Sequence, residues 1–214
     1  GSGIAGLMAV YEAGKSGARV LLLDKEPHGG GNSIKASSGL SAARNQEDVE
    51  AFYSDVMTGG GGSPFLVRKL TEESPDVLKE LEAMRLPLSR VTRLGGHSFA
   101  RTFAPEGSTP VGLYLYGGLQ SLVRRTMRNH SLEVRYRHRL IEVVRNEANG
   151  RVEGGLFAKA ASGSYDGGEE EVLIRCDAIV LATGGFGGSE EAYRLFSEGQ
   201  AMPHFATSNG GQAN

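Results

Sequence analysis

The chain has almost no cysteine: Cys176 is the only one in 214 residues. An internal disulfide framework and a cysteine-based metal cluster within the chain are therefore excluded. An excess of charge of either sign is also lacking. Lys and Arg number 23 against 25 Asp and Glu, so no bulk field points to nucleic acid or to a membrane surface. No apolar run approaches the length of a membrane span, and no signal-peptide pattern is present. The five histidines show no metal-ligand spacing. No repeat and no domain boundary stands out, so residues 1–214 read as one soluble domain. Glycine is what the chain has in excess, with 32 residues in short clusters. That distribution argues for several tight backbone sites and against a low-complexity linker.

The first cluster opens the chain. Gly1-Ser2-Gly3-Ile4-Ala5-Gly6 reads G-x-G-x-x-G and runs into an apolar-periodic helix over 4–16, with Ile4, Leu7, Met8 and Tyr11 on one face. Gly14 and Gly17 bracket its end. Gly14-Lys15-Ser16 resembles a phosphate loop only superficially, because Ala9 stands where that motif needs glycine and the residues end a helix instead of starting one. A buried-type strand over 19–24 follows and ends in Asp24. Glycine turn, helix, strand and terminal acid come in the order of a dinucleotide site. The glycines permit the tight turn and close approach to a pyrophosphate, and the acid accepts from a ribose.

Farther along, helices are expected over 45–57, with Asn45 as N-cap, and over 64–84, with Ser63 as N-cap and Pro64 at the first helical position. The second should break near Ser74-Pro75. Its Leu66, Val67, Leu70, Val77, Leu78 and Leu81 recur at core spacing. Residues 94–109 read as a loop and 117–129 as a helix. The period then changes to two over 133–140, which places Arg135, Arg137 and Arg139 on one solvated strand face. Strands are expected over 141–146, 151–158 and 170–176, with Asn149-Gly150 as a hairpin turn and 162–168 as a looser one. A last buried strand, 178–182, ends at Thr183-Gly184-Gly185. A helical insertion over about 45–84 inside an α/β frame suits a doubly wound fold.

Several stretches resemble one family. Leu23-Asp24-Lys25-Glu26-Pro27, Gly30-Gly31-Asn32-Ser33 and Ala36-Ser37-Ser38-Gly39 look like the second-strand and flavin-loop signature of the fumarate reductase/succinate dehydrogenase flavoproteins. They are most similar to the soluble, single-chain fumarate reductases. Leu94-Gly95-Gly96-His97-Ser98 with Arg101-Thr102, and Ala182-Thr183-Gly184-Gly185-Phe186, fit the same group. Urocanate reductases, ketosteroid dehydrogenases and aspartate oxidases look similar over this region.

The resemblance implies an α/β, Rossmann-like (doubly wound) FAD-binding fold with an antiparallel β-meander and a helical insertion, incomplete at both ends. The strand before Gly1 and a capping, catalytic part after Asn214 are expected to lie outside the chain, and residues 1–214 alone are expected to be inactive. Gly1, Gly3, Ile4 and Ala5 would cradle the FAD pyrophosphate at a helix N-terminus. Asp24 would accept from the adenosine ribose, with Lys25 beside it. Gly31, Asn32, Ser33, Ser38 and Gly39 would line the ribityl chain and flavin edge. Leu140 would pair its backbone with adenine. Ala182, Thr183 and Gly184 would close over the adenosine and pyrophosphate side, and Asn209 would lie near a further flavin contact.

The implied reaction is hydride transfer from reduced flavin to the double bond of a small dicarboxylate, fumarate to succinate. The resemblance identifies no electron donor, and it implies neither a nucleic-acid partner nor a membrane span. It places no catalytic residue in this chain. His97 and Arg101 are the local alternatives; loop packing is favoured for His97, and Phe103 stands where the family often has His. The rival readings are a relative with other flavin chemistry and a non-catalytic dinucleotide-binding module.

Overall fold

The computed structural model describes residues 1–160 and 169–185. The expected turn over 162–168 and the tail holding Asn209 lie outside the described residues. The fold is mixed α/β and divides into two compact units, 1–33 with 119–214, and 34–118. Among the described residues no helix is long and apolar enough to cross a membrane.

In the first unit, α1 (Ile4–Lys15) leads to β1 (Val20–Leu23). The helix ends in a left-handed Gly17, with Ala18 N–H on Ala13 O and Gly17 N–H on Gly14 O, both at 3.0 Å. Its buried stripe is Gly6, Leu7, Val10 and Gly14, not the expected Ile4, Leu7, Met8 and Tyr11. Apolar periodicity counts side chains, whereas this helix packs on its glycines: a Cβ on Gly14 would collide with the Met127 sulfur. Strand β1 pairs in parallel with β5 (Leu132–Arg135), Val20 opposite Leu132 through Leu23 opposite Arg135.

The chain then turns at Arg137, which sits at φ 59°, into β6 (His138–Arg145). The expected continuous strand over 133–140 is therefore two strands in two sheets, and the three arginines do not share a face. Arg135 pairs with Glu133 at 2.7 Å and Arg139 with Glu169 at 2.6 Å. Strands β6, β7 (Val152–Ala160) and β8 (Glu169–Arg175) form the antiparallel meander, with Gly150 at positive φ in the β6–β7 turn. Residues 178–182 form no strand: no ladder partner reaches them among the described residues, and Val180 is 72% exposed.

The second unit holds β2 (Leu40–Ser41), α2 (Gln46–Thr58), α3 (Pro64–Ala83), β3 (Arg90–Thr92) and β4 (Thr102–Ala104). Strand β4 lies between β2 and β3, antiparallel to both, so part of the expected 94–109 loop is a buried strand. The helix α4 (Val111–Thr126) starts in this unit and ends in the first. It begins six residues before the expected start because Gly117-Gly118 reads as a boundary but is helix. Leu86 occupies the space a Cβ on Gly118 would need. Val111, Leu115, Leu119 and Val123 form its buried i,i+4 row.

Helix α3 does not break at Pro75. Proline removes the N–H that would reach the carbonyl four residues back, Thr71 O. The Ser74 hydroxyl supplies the missing donor, bonding Thr71 O at 3.0 Å while accepting Ala43 N–H at 2.9 Å. The anchor lies on the buried side of the helix. Its buried stripe is Val67, Thr71, Ser74 and Leu81, while Leu66, Leu70 and Val77 of the expected core face solvent. Asn45 caps α2 as expected by accepting Asp48 N–H, whereas Ser63 holds the N-cap position of α3 without a side-chain bond.

Two stability changes follow from these elements. Ser74→Ala leaves Ala43 N–H and Thr71 O without their partner in a buried setting, and urea denaturation should show a loss of about 1–3 kcal/mol. Arg85 ends α3 at φ 62°, with Leu86 N–H on Leu81 O at 2.8 Å, the position glycine fills best. Arg85→Gly should therefore stabilise the protein by about 1 kcal/mol in the same measurement.

Candidate functional site

The site begins where β1 ends. Asp24 is the first residue past the strand and is 6% exposed. Its Oδ2 accepts the Ser2 N–H at 2.7 Å and the Ser2 hydroxyl at 2.5 Å, and its Oδ1 accepts Glu26 N–H at 2.9 Å. The acid thereby ties the glycine turn to the strand end. His138, at the start of β6, donates its N–H to Asp24 O at 2.9 Å.

The turn itself needs its glycines. A Cβ on Gly6 would strike the carbonyl oxygen of Gly1, and one on Gly1 would strike that of Ala182. Close passage of chain, not left-handed φ, is the requirement at both. Gly3 ends the turn as the N-cap of α1 and has no side chain to cap with. The Ser33 hydroxyl does so from 29 residues away, accepting Ile4 N–H at 3.1 Å. The N–H groups of Ala5 and Gly6 have no acceptor among the described residues. Two orphan donors at the positive end of a helix dipole, facing a turn whose one side chain, that of Ser2, is engaged by Asp24, suit an anionic phosphate pair. Asp24 beside them suits a ribose hydroxyl. The donor set fits a dinucleotide.

Gly1, Gly3, Ile4, Ala5, Asp24, Ser33, Ala182 and Thr183 thus meet in the first unit. Lys25 follows Asp24 and lies 3.7 Å from Glu26. Gly31 and Asn32 open a 3-10 turn with Ser33. Leu140 sits on β6 opposite Phe157, immediately before a register shift, where a bulge takes backbone groups out of the ladder. Gly184 takes φ 82°. Ser38 and Gly39 belong to the second unit, ahead of β2. Ser2 was not singled out by the motif, which treats its position as free. The signal was a hydroxyl one residue into a turn that must meet a strand-end acid.

The second unit contains a different polar cluster. Arg101 is 0% exposed. Its Nε donates to Asp48 Oδ1 at 2.8 Å, and Nη2 is held 2.8 Å from the same oxygen, off the hydrogen-bond direction. Its Nη1 reaches Asp55 Oδ2 at 2.6 Å and His97 Nδ1 at 3.1 Å. Guanidinium only donates, so His97 Nδ1 is the acceptor and its hydrogen sits on Nε2. Phe52 lies under the guanidinium, 4.9 Å from carbon to ring centre. Arg101 is wholly buried, with Nε and Nη1 hydrogen-bonded inside this cluster.

Burial opposes the charged form of Asp55, but the Ser98 hydroxyl and N–H and the Arg101 guanidinium outweigh it and hold the carboxyl at about 2. A depressed carboxylate stabilises the fold above its unfolded pKa, near 4, and that stabilisation is lost as pH falls through the folded value. The stability deficit of Asp55→Asn, read by urea denaturation, should be constant near neutral pH and shrink from about pH 4 towards pH 2.

Comparison with known proteins gives the family. A family model described as FAD binding domain matches residues 1–213. A fumarate reductase (cytochrome) of Shewanella frigidimarina is 33% identical over 201 residues, covering 89% of this chain and 33% of that protein. An L-aspartate oxidase of Caulobacter vibrioides is 34% identical over 200 residues, covering 88% and 37%. Among solved structures, the open conformation of a flavocytochrome c3 fumarate reductase superposes with TM-score 0.73 at 30% identity, covering 93% of this chain and 36% of that one. With the glycine turn, the orphan donors and the strand-end acid in place, the chain belongs to the FAD binding domain family, and its cofactor is FAD. It spans about a third of the length of the curated relatives it matches.

Proposed function

We propose that the protein carrying this chain is an FAD-dependent oxidoreductase of the fumarate reductase kind, acting on the double bond of a small dicarboxylate. The observation that supports it best is the glycine corner itself. Ala5 and Gly6 N–H groups point a helix N-terminus at a turn whose one side chain, Ser2, is bonded to Asp24 at its flank. Similarity to fumarate reductases supports the reaction class.

In this reading, Gly1, Gly3, Ile4 and Ala5 hold the pyrophosphate, Asp24 the adenosine ribose with Lys25 beside it, and Leu140 the adenine. Ala182, Thr183 and Gly184 lie against the same cofactor half. Gly31, Asn32, Ser33, Ser38 and Gly39 serve the ribityl and flavin portion, and Asn209 a neighbouring contact. When bound, the flavin supplies hydride transfer at its N5. This chain's part is to bind and orient. No residue of the chain is assigned to protonate or clamp substrate, since Arg101 is committed to Asp48 and Asp55.

Similarity to an aspartate oxidase favours a second reading, removal of hydride from an amino dicarboxylate. The two are separated by the direction in which substrate moves the flavin. The purified protein should carry bound flavin, seen by its visible absorbance. After anaerobic photoreduction, fumarate should restore the oxidised spectrum within a mixing experiment. Reduction of the oxidised flavin by aspartate, with no response to fumarate, would establish the second reading instead.

A further inference from the structure

Asp24 has fewer lone pairs to offer than its place in the motif suggests. A carboxylate presents about four acceptor positions. On Oδ2 both are filled by Ser2, through its N–H at 2.7 Å and its hydroxyl at 2.5 Å. On Oδ1 one is filled by Glu26 N–H at 2.9 Å. Ser2 is 2% exposed and Asp24 6%, so water does not compete for these bonds. The three donors come from the protein itself, and the short distances to Oδ2 are those of charge-assisted bonds, stronger than neutral ones.

We infer that Ser2 restricts Asp24 to one open acceptor position, on Oδ1, so that the adenosine subsite reads a single ribose hydroxyl and not the vicinal pair. The inference rests on the FAD reading above and adds to it a positioning residue and a stoichiometry. A carboxylate free at both oxygens can take the 2′ and 3′ hydroxyls together, one on each. Here the oxygen that would take the second is already saturated. Rotating the carboxylate to free it would break the Ser2 N–H bond and release the glycine turn that cradles the pyrophosphate. Ser2 touches no reacting atom; it acts through the orientation and occupancy of Asp24.

The test uses apoprotein titrated with FAD and with two FAD analogues, one lacking the adenosine 2′ hydroxyl and one lacking the 3′ hydroxyl, followed by flavin fluorescence. One analogue should bind about tenfold or more weakly, as for loss of a bond to a charged group, and the other within about twofold of FAD. Ser2→Ala frees the second position on Oδ2 and should narrow the gap between the analogues. Ser2→Thr keeps the hydroxyl and should preserve the gap. Similar losses for both analogues in the unmutated protein, or no loss for either, overturn the inference while leaving FAD binding intact. Failure of FAD itself to bind overturns the reading beneath it. The analogue comparison requires no variant, so it stands even if Ser2→Ala does not fold.

Discussion

A buried carboxylate at the end of one parallel strand is the constraint on which the glycine corner depends. Parallel strands finish on the same edge of their sheet, so β1 and β5 deliver their following residues to one place. Asp24 arrives there from β1, and β6 begins there after the turn at Arg137. The acid cannot remain unpaired once buried, and the nearest donors are those of the turn before α1. Strand end and helix start are thereby drawn together by a charge seeking partners. The glycines are the steric condition for the same closure, since Gly1, Gly6 and Ala182 approach within a distance that no Cβ allows. Helix dipole and acid then coexist favourably, negative charge near the helix N-terminus.

The second unit solves the opposite problem, a cation with no access to water. Arg101 satisfies it with two aspartates from one helix, Asp48 and Asp55, and an aromatic face beneath. Asp48 is itself held by Arg44 N–H and by the N-cap bond from its own amide to Asn45. The start of α2 and the segment before β4 are thus one electrostatic assembly. A buried pair of this kind is strongly destabilising to break from one side, because the remaining charge is stranded. That commitment is structural, for a side chain whose type alone suggested substrate binding.

Much of this was legible in the residues. The order of glycine turn, helix, strand and Asp24 is local chemistry, and Asn45 and Asn149-Gly150 announce a cap and a turn by their own side chains and φ preferences. What was not legible depended on partners far away in sequence. Leu66, Leu70 and Val77 have core spacing, yet the buried side of their helix is the one carrying Ser74, whose hydroxyl accepts Ala43 N–H. Gly117-Gly118 reads as a helix boundary until Leu86 is seen to fill the missing side-chain space. The alternation over 133–140 gives no sign that Arg137 turns left-handed and passes the chain from one sheet to another. At the site, Asp24 was visible and Ser2 was not, because the motif specifies where side chains must be absent and is silent about the one that is present.

The Ser74–Pro75 pair has a consequence for how this helix can change over time. Proline opens a gap in the hydrogen-bond ladder at Thr71 O, and the neighbouring hydroxyl closes it. The two positions are therefore not independent. A lineage that first replaces the proline regains the backbone donor, and only its contact to Ala43 still requires the serine. A lineage that first loses the serine carries an unsatisfied carbonyl until the proline also goes. The order of substitution matters more than the residues finally reached, which makes this dipeptide a small case of epistasis written into one turn of helix.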